Sequence, residues 1–306
     1  MEKNKGYSLL ELLVVIVLIS LLGIGIMSAY YGLLKSERKE RLLIKSEADV
    51  QALLGQLKKI FSAIGYGVPI DCFNPTMSCP ERVISYNGTE LRFLSTFVRQ
   101  NKYAGCWWVC GMGNFTTTAK TRFANDCPAS PNEISTSDRW FLVMDRDRSI
   151  KSFGTDIVNC QIQGDVIVYL GKKGSSNAIF PEDFITRIYL DSTNLPSECA
   201  SETKTLYIQV GDDTPQPLIS CVGDLRVRYI DENGNYSDNL ELSTLWGLRL
   251  CLLIQIGGRR DSQEDLPQYS DLEKCGNLPP NDTWKYYRWR VIEEDIPLYN
   301  LINWGQ

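Results

Sequence analysis

Between Leu12 and Leu34 the chain carries no charged residue, a run of 23 positions. A helix over that run covers roughly 34 Å at about 1.5 Å per residue, enough to cross a bilayer. A secretory signal peptide has a shorter apolar core followed by a small-residue cleavage site. This core is too long, and no A-x-A-like site follows Met27. Glu11 stands at the edge of the run, behind the polar leader Met1–Gly6 with its two cations, Lys3 and Lys5. A carboxylate near a membrane centre costs roughly 2.5–3.5 kcal/mol on insertion scales, so such residues usually have a partner and a task. A plain single-pass anchor explains neither the carboxylate nor the leader.

The apolar run passes directly into KSERKERLLIKSEADVQALLGQLKKIFSAIGYG. Leu43, Val50, Leu54, Leu57, Phe61 and Ile64 recur at helical spacing and make one apolar stripe. Glu37 precedes Arg41 by one helical turn, the favourable orientation for an ion pair. The first proline is Pro69, and Gly65-Tyr66-Gly67-Val68-Pro69 supplies stop signals. The spacing predicts one helix from about Tyr7 to Ile64, with Gly23 and Gly25 as weak points of about 1 kcal/mol each against alanine.

Beyond Pro69 the period changes to two. In LRVRYI, Leu225, Val227 and Tyr229 face one way, with Arg226 and Arg228 opposite. In LRLCLLIQI, Leu248, Leu250, Leu252, Ile254 and Ile256 share a face, and YYRWRVI repeats the theme with Tyr287, Trp289 and Val291. Further strands are expected at ERVISY, TELRFLSTF, RWFLVMD, DVIVYL, ITRIYL and TLYIQV. Such alternation predicts antiparallel strands with one covered face, the cover being the stripe of the long helix. The fold class is therefore α+β.

There is no histidine in the chain, which removes every Ser/His, Cys/His and HExxH arrangement. The formal net charge of −5 argues against direct nucleic-acid binding. Ten cysteines, Cys72, Cys79, Cys106, Cys110, Cys127, Cys160, Cys199, Cys221, Cys251 and Cys275, all lie beyond the helix. That even number fits disulfides formed in an oxidising compartment better than a zinc site, since no paired CxxC knuckles occur. Close spacing favours Cys72–Cys79, Cys199–Cys221 and Cys251–Cys275, leaving Cys106, Cys110, Cys127 and Cys160 with open connectivity.

In DENGNYSDNLE, Asp231, Asn233, Asn235, Ser237 and Asp238 offer oxygens at alternate positions, as a calcium loop does. Tyr236 and Leu242 stand where an EF-hand needs glycine and glutamate, and Asn233-Gly234 is a standard hairpin signal. A plain hairpin is the main expectation, with calcium as the alternative and no other cofactor. In CWWVC, Trp107 and Trp108 alternate sides of a strand, either as a core corner or with one ring exposed as a contact point. Asp145, Arg146, Asp147 and Arg148 read as a solvated strand end. Arg259-Arg260 and Lys172-Lys173 are isolated basic pairs.

Gly6-Tyr7-Ser8-Leu9-Leu10-Glu11 resembles the cleavage motif of type IV pilins and type II secretion pseudopilins. That family has a basic leader ending in glycine, then an aromatic residue, with glutamate fifth in the mature chain. Tyr7 replaces the usual phenylalanine. The resemblance implies a type IV pilin-like fold. It implies a leader at 1–6, a transmembrane and filament-core half of the helix at 7–34, a soluble half at 35–64, and a β-rich head at 65–306. It also implies cleavage between Gly6 and Tyr7 by a prepilin peptidase that methylates the new amine of Tyr7. Glu11 would then pair with a neighbouring subunit's terminal amine. The implied location is the inner membrane, single-pass, with a cytoplasmic amino terminus, an extracytoplasmic head, and a pilus or pseudopilus as the destination. The implied partners are other major and minor pilins, met through the helix.

The final third, from LRVRYI through WGLRLCLLIQI to YRWRVIEEDIPLYN, looks like the carboxy-terminal half of PilW-type minor pilins. A J-type pseudopilin is the nearest alternative; K-type pseudopilins usually lack the fifth-position glutamate. From a different class, the alternative is a membrane-tethered ligand-binding or enzymatic ectodomain.

Overall fold

One helix, α1 (Leu9–Ser62), runs unbroken for 54 residues. The computed structural model describes residues 9–73, 82–98, 103–111, 115–118, 127–135, 139–154, 163–170, 184–278 and 280–302. The helix passes straight through Gly23 and Gly25, and no atom lies within 4 Å of a Cβ built at either. Its second half carries the stripe. Val50, Leu53, Leu57 and Phe61 are buried, with Ile64 just past the helix end. Leu43 and Leu54 sit half-buried at its margins. The centre is thus Leu53, a position the spacing argument passes over in favour of its neighbour.

The helix stops at two glycines. Gly65 and Gly67 take φ of +73° and +68°, and a Cβ on Gly65 would meet Leu301 Cδ2 at 2.3 Å. The freed carbonyls of Ser62 and Ile64 accept from Asn300 Nδ2 at 2.8 and 3.2 Å. A residue near the carboxy terminus therefore caps α1, which satisfies orphan groups and fixes the helix against the sheet.

Two strands follow, β1 (Ile84–Tyr86) and β2 (Glu90–Leu94). Five more make a separate small sheet: β3 (Trp107–Cys110), β4 (Phe115–Thr118), β5 (Phe141–Met144), β6 (Ile150–Gly154) and β7 (Val166–Tyr169). The chain then returns as β8 (Ile185–Asp191), β9 (Lys204–Val210), β10 (Gln216–Asp231), β11 (Tyr236–Ser237), β12 (Leu245–Gln255) and β13 (Trp289–Pro297). The large sheet has the order β1-β2-β8-β9-β10-β12-β13 with β11 on β10, and the small one β4-β3-β7-β5-β6. All the recorded pairings are antiparallel. Short helices α2 (Leu272–Cys275) and α3 (Tyr299–Ile302) complete the described elements.

The α1 stripe packs on one face of the large sheet. Leu225, Val227 and Tyr229 of β10, Leu248, Leu250, Leu252 and Ile254 of β12, and Ile292 and Ile296 of β13 join it in the main core. The expectation of one covered face needs correcting at β10, β12 and β13, where the reverse face is covered too. Residues 257–278 and 280–288 fold back as a strap, and Tyr269, Cys275, Leu278 and Trp284 pack on Cys251, Leu253 and Trp289. The physical reason lies in the reverse-face residues of β10. Arg226 donates to the carbonyls of Cys275 and Asn277 at 2.8 and 2.6 Å, and Arg228 donates to that of Glu273. Arginines that alternation alone assigns to solvent instead bind strap carbonyls and tie the strap down over this face.

In the small sheet the middle strands β5 and β7 are likewise buried on both faces. Leu142 and Met144 point into the main core, whereas Phe141 and Val143 join Trp108, Ile167 and Tyr169 in a second cluster. Disulfides join Cys106 to Cys127, Cys199 to Cys221 and Cys251 to Cys275. Cys72 and Cys110 are also disulfide-bonded. Cys79 and Cys160 lie outside the described residues.

Candidate assembly interface

Every large apolar side chain recorded between Leu9 and Leu33 faces outward, at 48–84% exposure. Leu, Ile and Val occupy all sides of the helix there, so no turn of it presents a polar face to water. A helix apolar all round belongs inside protein or lipid. The Ser20 hydroxyl is satisfied within the helix, donating to the Ile16 carbonyl at 2.8 Å. This is the one helix among the described residues long and apolar enough to cross a membrane.

Glu11 falls in the first turn of α1. Gly6 and Tyr7 lie outside the described residues, so the cleavage and methylation expectations rest on the sequence. Past the apolar half, Glu37 and Arg41 form the expected ion pair at 2.6 Å, exposed on both sides. Two further pairs tie the helix to β13: Arg290 to Glu47 at 2.8 Å and Lys58 to Glu294 at 3.0 Å. These contacts run in the same sense along both elements, so β13 lies parallel to α1. They begin only at Glu47, one turn past the first half-buried stripe residue. The first half of α1 thus projects from the head with nothing of the described head upon it.

The remaining candidates have structural employment. Asp231 Oδ1 accepts from the backbone N–H groups of Asn233 and Asn235 at 2.8 Å each, and Oδ2 accepts from Asn235 Nδ2. Those bonds hold the Asp231 carboxyl below its usual range, the Asn235 side chain contributing most. Asp238 turns away to Arg228 at 2.9 Å. The loop closes on its own donors, and among the described residues no cluster of three acidic or cysteine groups is placed to hold a metal ion.

Trp108 is buried in the second cluster, its Nε1 donating to the Pro128 carbonyl at 2.9 Å. Trp107 is half-buried against the main core. The pair therefore serves two cores from one strand, and neither ring is the exposed contact point.

The charged run after β5 divides as well. Asp145 and Asp147 shape the turn, accepting from Asp147 N and Ser149 N. Arg148, at φ +66°, turns inward and donates to the carbonyls of Gly65 and Val68 at 3.4 and 3.3 Å. Burial lowers its pKa to about 10. This clamp on the helix exit carried no signal in the sequence, because a charged turn and an inward arginine are written with the same residues. Arg259 stacks on Tyr286 at 5.0 Å, Arg260 pairs with Glu264, and Lys172-Lys173 lie outside the described residues.

Two polar clusters under the strap also escaped the sequence. Arg249 meets Glu293 at 2.8 Å and Asp295 at 3.0 Å, and Glu293 accepts from the hydroxyl of Ser270. Tyr269 donates to Asp224 at 3.0 Å beside Arg226. Burial raises the pKa of Asp224 despite that adjacent guanidinium, so desolvation outweighs the ion pair there. An arginine inside the apolar run LRLCLLIQI was the one available hint.

Residues 1–27 match the family described as the prokaryotic N-terminal methylation motif. The chain therefore carries that motif, continuous with the exposed half of α1. A solved type IV-like pilin from Thermus thermophilus is similar in structure, with a TM-score of 0.35 and 10% identity over 83% of this chain and 97% of that one. Among curated proteins, none matches the chain in sequence.

Proposed function

We infer that the chain is a subunit of a type IV pilus, a PilW-type minor pilin that helps to prime or cap the filament. The observation that carries this reading is the join between the methylation motif and a helix half that is apolar on every side and touched by nothing of the described head. Such a surface needs another solvent. A bilayer supplies it before assembly, and the helices of other pilins supply it afterwards. In this reading residues 1–6 are the leader, 7–34 the membrane and filament segment, 35–64 the arm of the same helix that enters the head, and 65–306 the head. The head lies outside the inner membrane, where the disulfides form. The protein's role is structural, and it is itself the substrate of the prepilin peptidase and methyltransferase.

Within this scheme Glu11 pairs with the terminal amine of the next subunit, so that two charges in an apolar environment offset one another. The test is Glu11→Ala, with both processing and filament entry measured. The variant is expected to be cleaved like the parent but depleted from sheared filaments. Normal abundance in the sheared fraction would contradict the charge-pair role and, with it, the assembly reading of this helix.

A further inference from the structure

We propose that the stretch of α1 just past its apolar half is a collar that binds anionic phospholipid headgroups. The proposal rests on residues 9–34 being a membrane span. Lys35, Arg38, Arg41 and Lys45 follow one another at steps of three, three and four, which stacks them along one side of the helix. All four are exposed, and the head begins to close on the helix only at Leu43. Between Lys35 and Lys45 five basic residues face two acidic ones, Glu37 and Glu40. Glu37 is committed to Arg41.

A second feature fixes the level of this collar. Tyr30 and Tyr31, one turn below Lys35, are both exposed, with their rings edge to face at 6.5 Å. Tyrosines at the end of an apolar run sit at the lipid–water boundary, and the long cations beyond them reach phosphate. Lys35 lies immediately after Leu34, and Arg41 is about 9 Å higher along the axis. All of the cations up to Arg41 therefore stand within about one Debye length of the headgroups at physiological salt.

The number of charges also asks for a use. With the amino terminus cytoplasmic, basic residues on the far flank oppose the positive-inside bias, and these outnumber Lys3 and Lys5 of the leader. Contact with phosphate diesters offsets that burden, arginine contributing paired N–H donors and lysine a point charge. A subunit waiting in the membrane is then held upright at a set depth. It gives up these lipids when it moves into a filament.

The test uses the full-length chain in nanodiscs of phosphatidylcholine containing phosphatidylglycerol, with retained lipids counted by native mass spectrometry. The parent should retain phosphatidylglycerol preferentially. Lys35→Gln with Arg38→Gln should cut that preference by roughly fivefold per charge removed, while the unfolding midpoint of the head stays unchanged. An unaltered preference in the double variant, or none in the parent, overturns the proposal. Reduced cross-linking between subunits with lipid preference intact would overturn it in favour of a second copy. Failure of the parent to float with vesicles would overturn it by removing the span on which it rests, and a floating protein without lipid preference would leave that span standing.

Discussion

The two halves of α1 share one backbone and obey different rules. From Leu9 to Leu33 the helix is apolar on all sides and touches nothing of the described head. From Leu43 to Ser62 it is apolar along a stripe and polar elsewhere, and the stripe disappears into the core. Secondary structure is the same in both, so propensity does not separate them. What differs is how many sides of the cylinder are apolar, and that sets which solvent each half needs. A stripe is satisfied by one sheet, whereas a helix greasy all round is satisfied only by lipid or by several other helices.

The contrast is broken most forcefully by one truncation in each half. Phe61→Ala, in the packed half, should destabilise the head by about 3–5 kcal/mol, since it opens a cavity beneath the sheet. Leu18→Ala, in the bare half, should leave the head's denaturation midpoint in detergent unmoved. Comparable shifts from both would mean that the first half also packs on the head.

A second test sharpens the picture of the sheet between its two covers, α1 on one face and the strap on the other. Removing the Cys251–Cys275 bridge with a pair of alanines should cost about 2–4 kcal/mol by chemical denaturation. The bare half of α1 should keep its hold on detergent micelles or vesicles throughout. An undiminished midpoint would show that the arginine contacts alone retain the strap.

The smallest effect is one of pH. Asp224 has a raised pKa because it is buried, so its protonated form favours the fold, and that contribution is lost as pH rises through the folded-state value. Asp224→Asn imitates the protonated form at every pH. The variant should match the parent in acid and become relatively more stable towards neutral pH, as measured by denaturation midpoints. A difference of the opposite sign would mean that the Arg226 pair outweighs burial.

Much of this was readable from residues alone, and the reason is periodicity. The stripe through Val50, Leu57 and Phe61, and the alternation through Leu248, Leu250 and Leu252, are local patterns that name their own partner surface. Cys199–Cys221 and Cys251–Cys275 are near neighbours in the chain, and close spacing pointed to both. What stayed hidden depends on segments far apart in sequence. Arg226 and Arg228 look solvent-facing until the strap at Glu273–Asn277 arrives over them. Arg148 sits in a run that reads as a turn until the helix exit at Gly65 offers its carbonyl. Trp107 and Trp108 had to be shared between two cores because the small sheet is itself a layer, with α1 and the large sheet on one side only. Gly6, Tyr7 and Glu11 were legible because they belong to a short, contiguous motif at residues 1–27, whose pattern does not depend on how the head folds.

The assembly reading is tested most directly by the intact mass of the mature chain purified from membranes. The mature protein is expected to begin at Tyr7 with one added methyl group on its amine. A chain that retains Met1, or one cut beyond the apolar run, would contradict it.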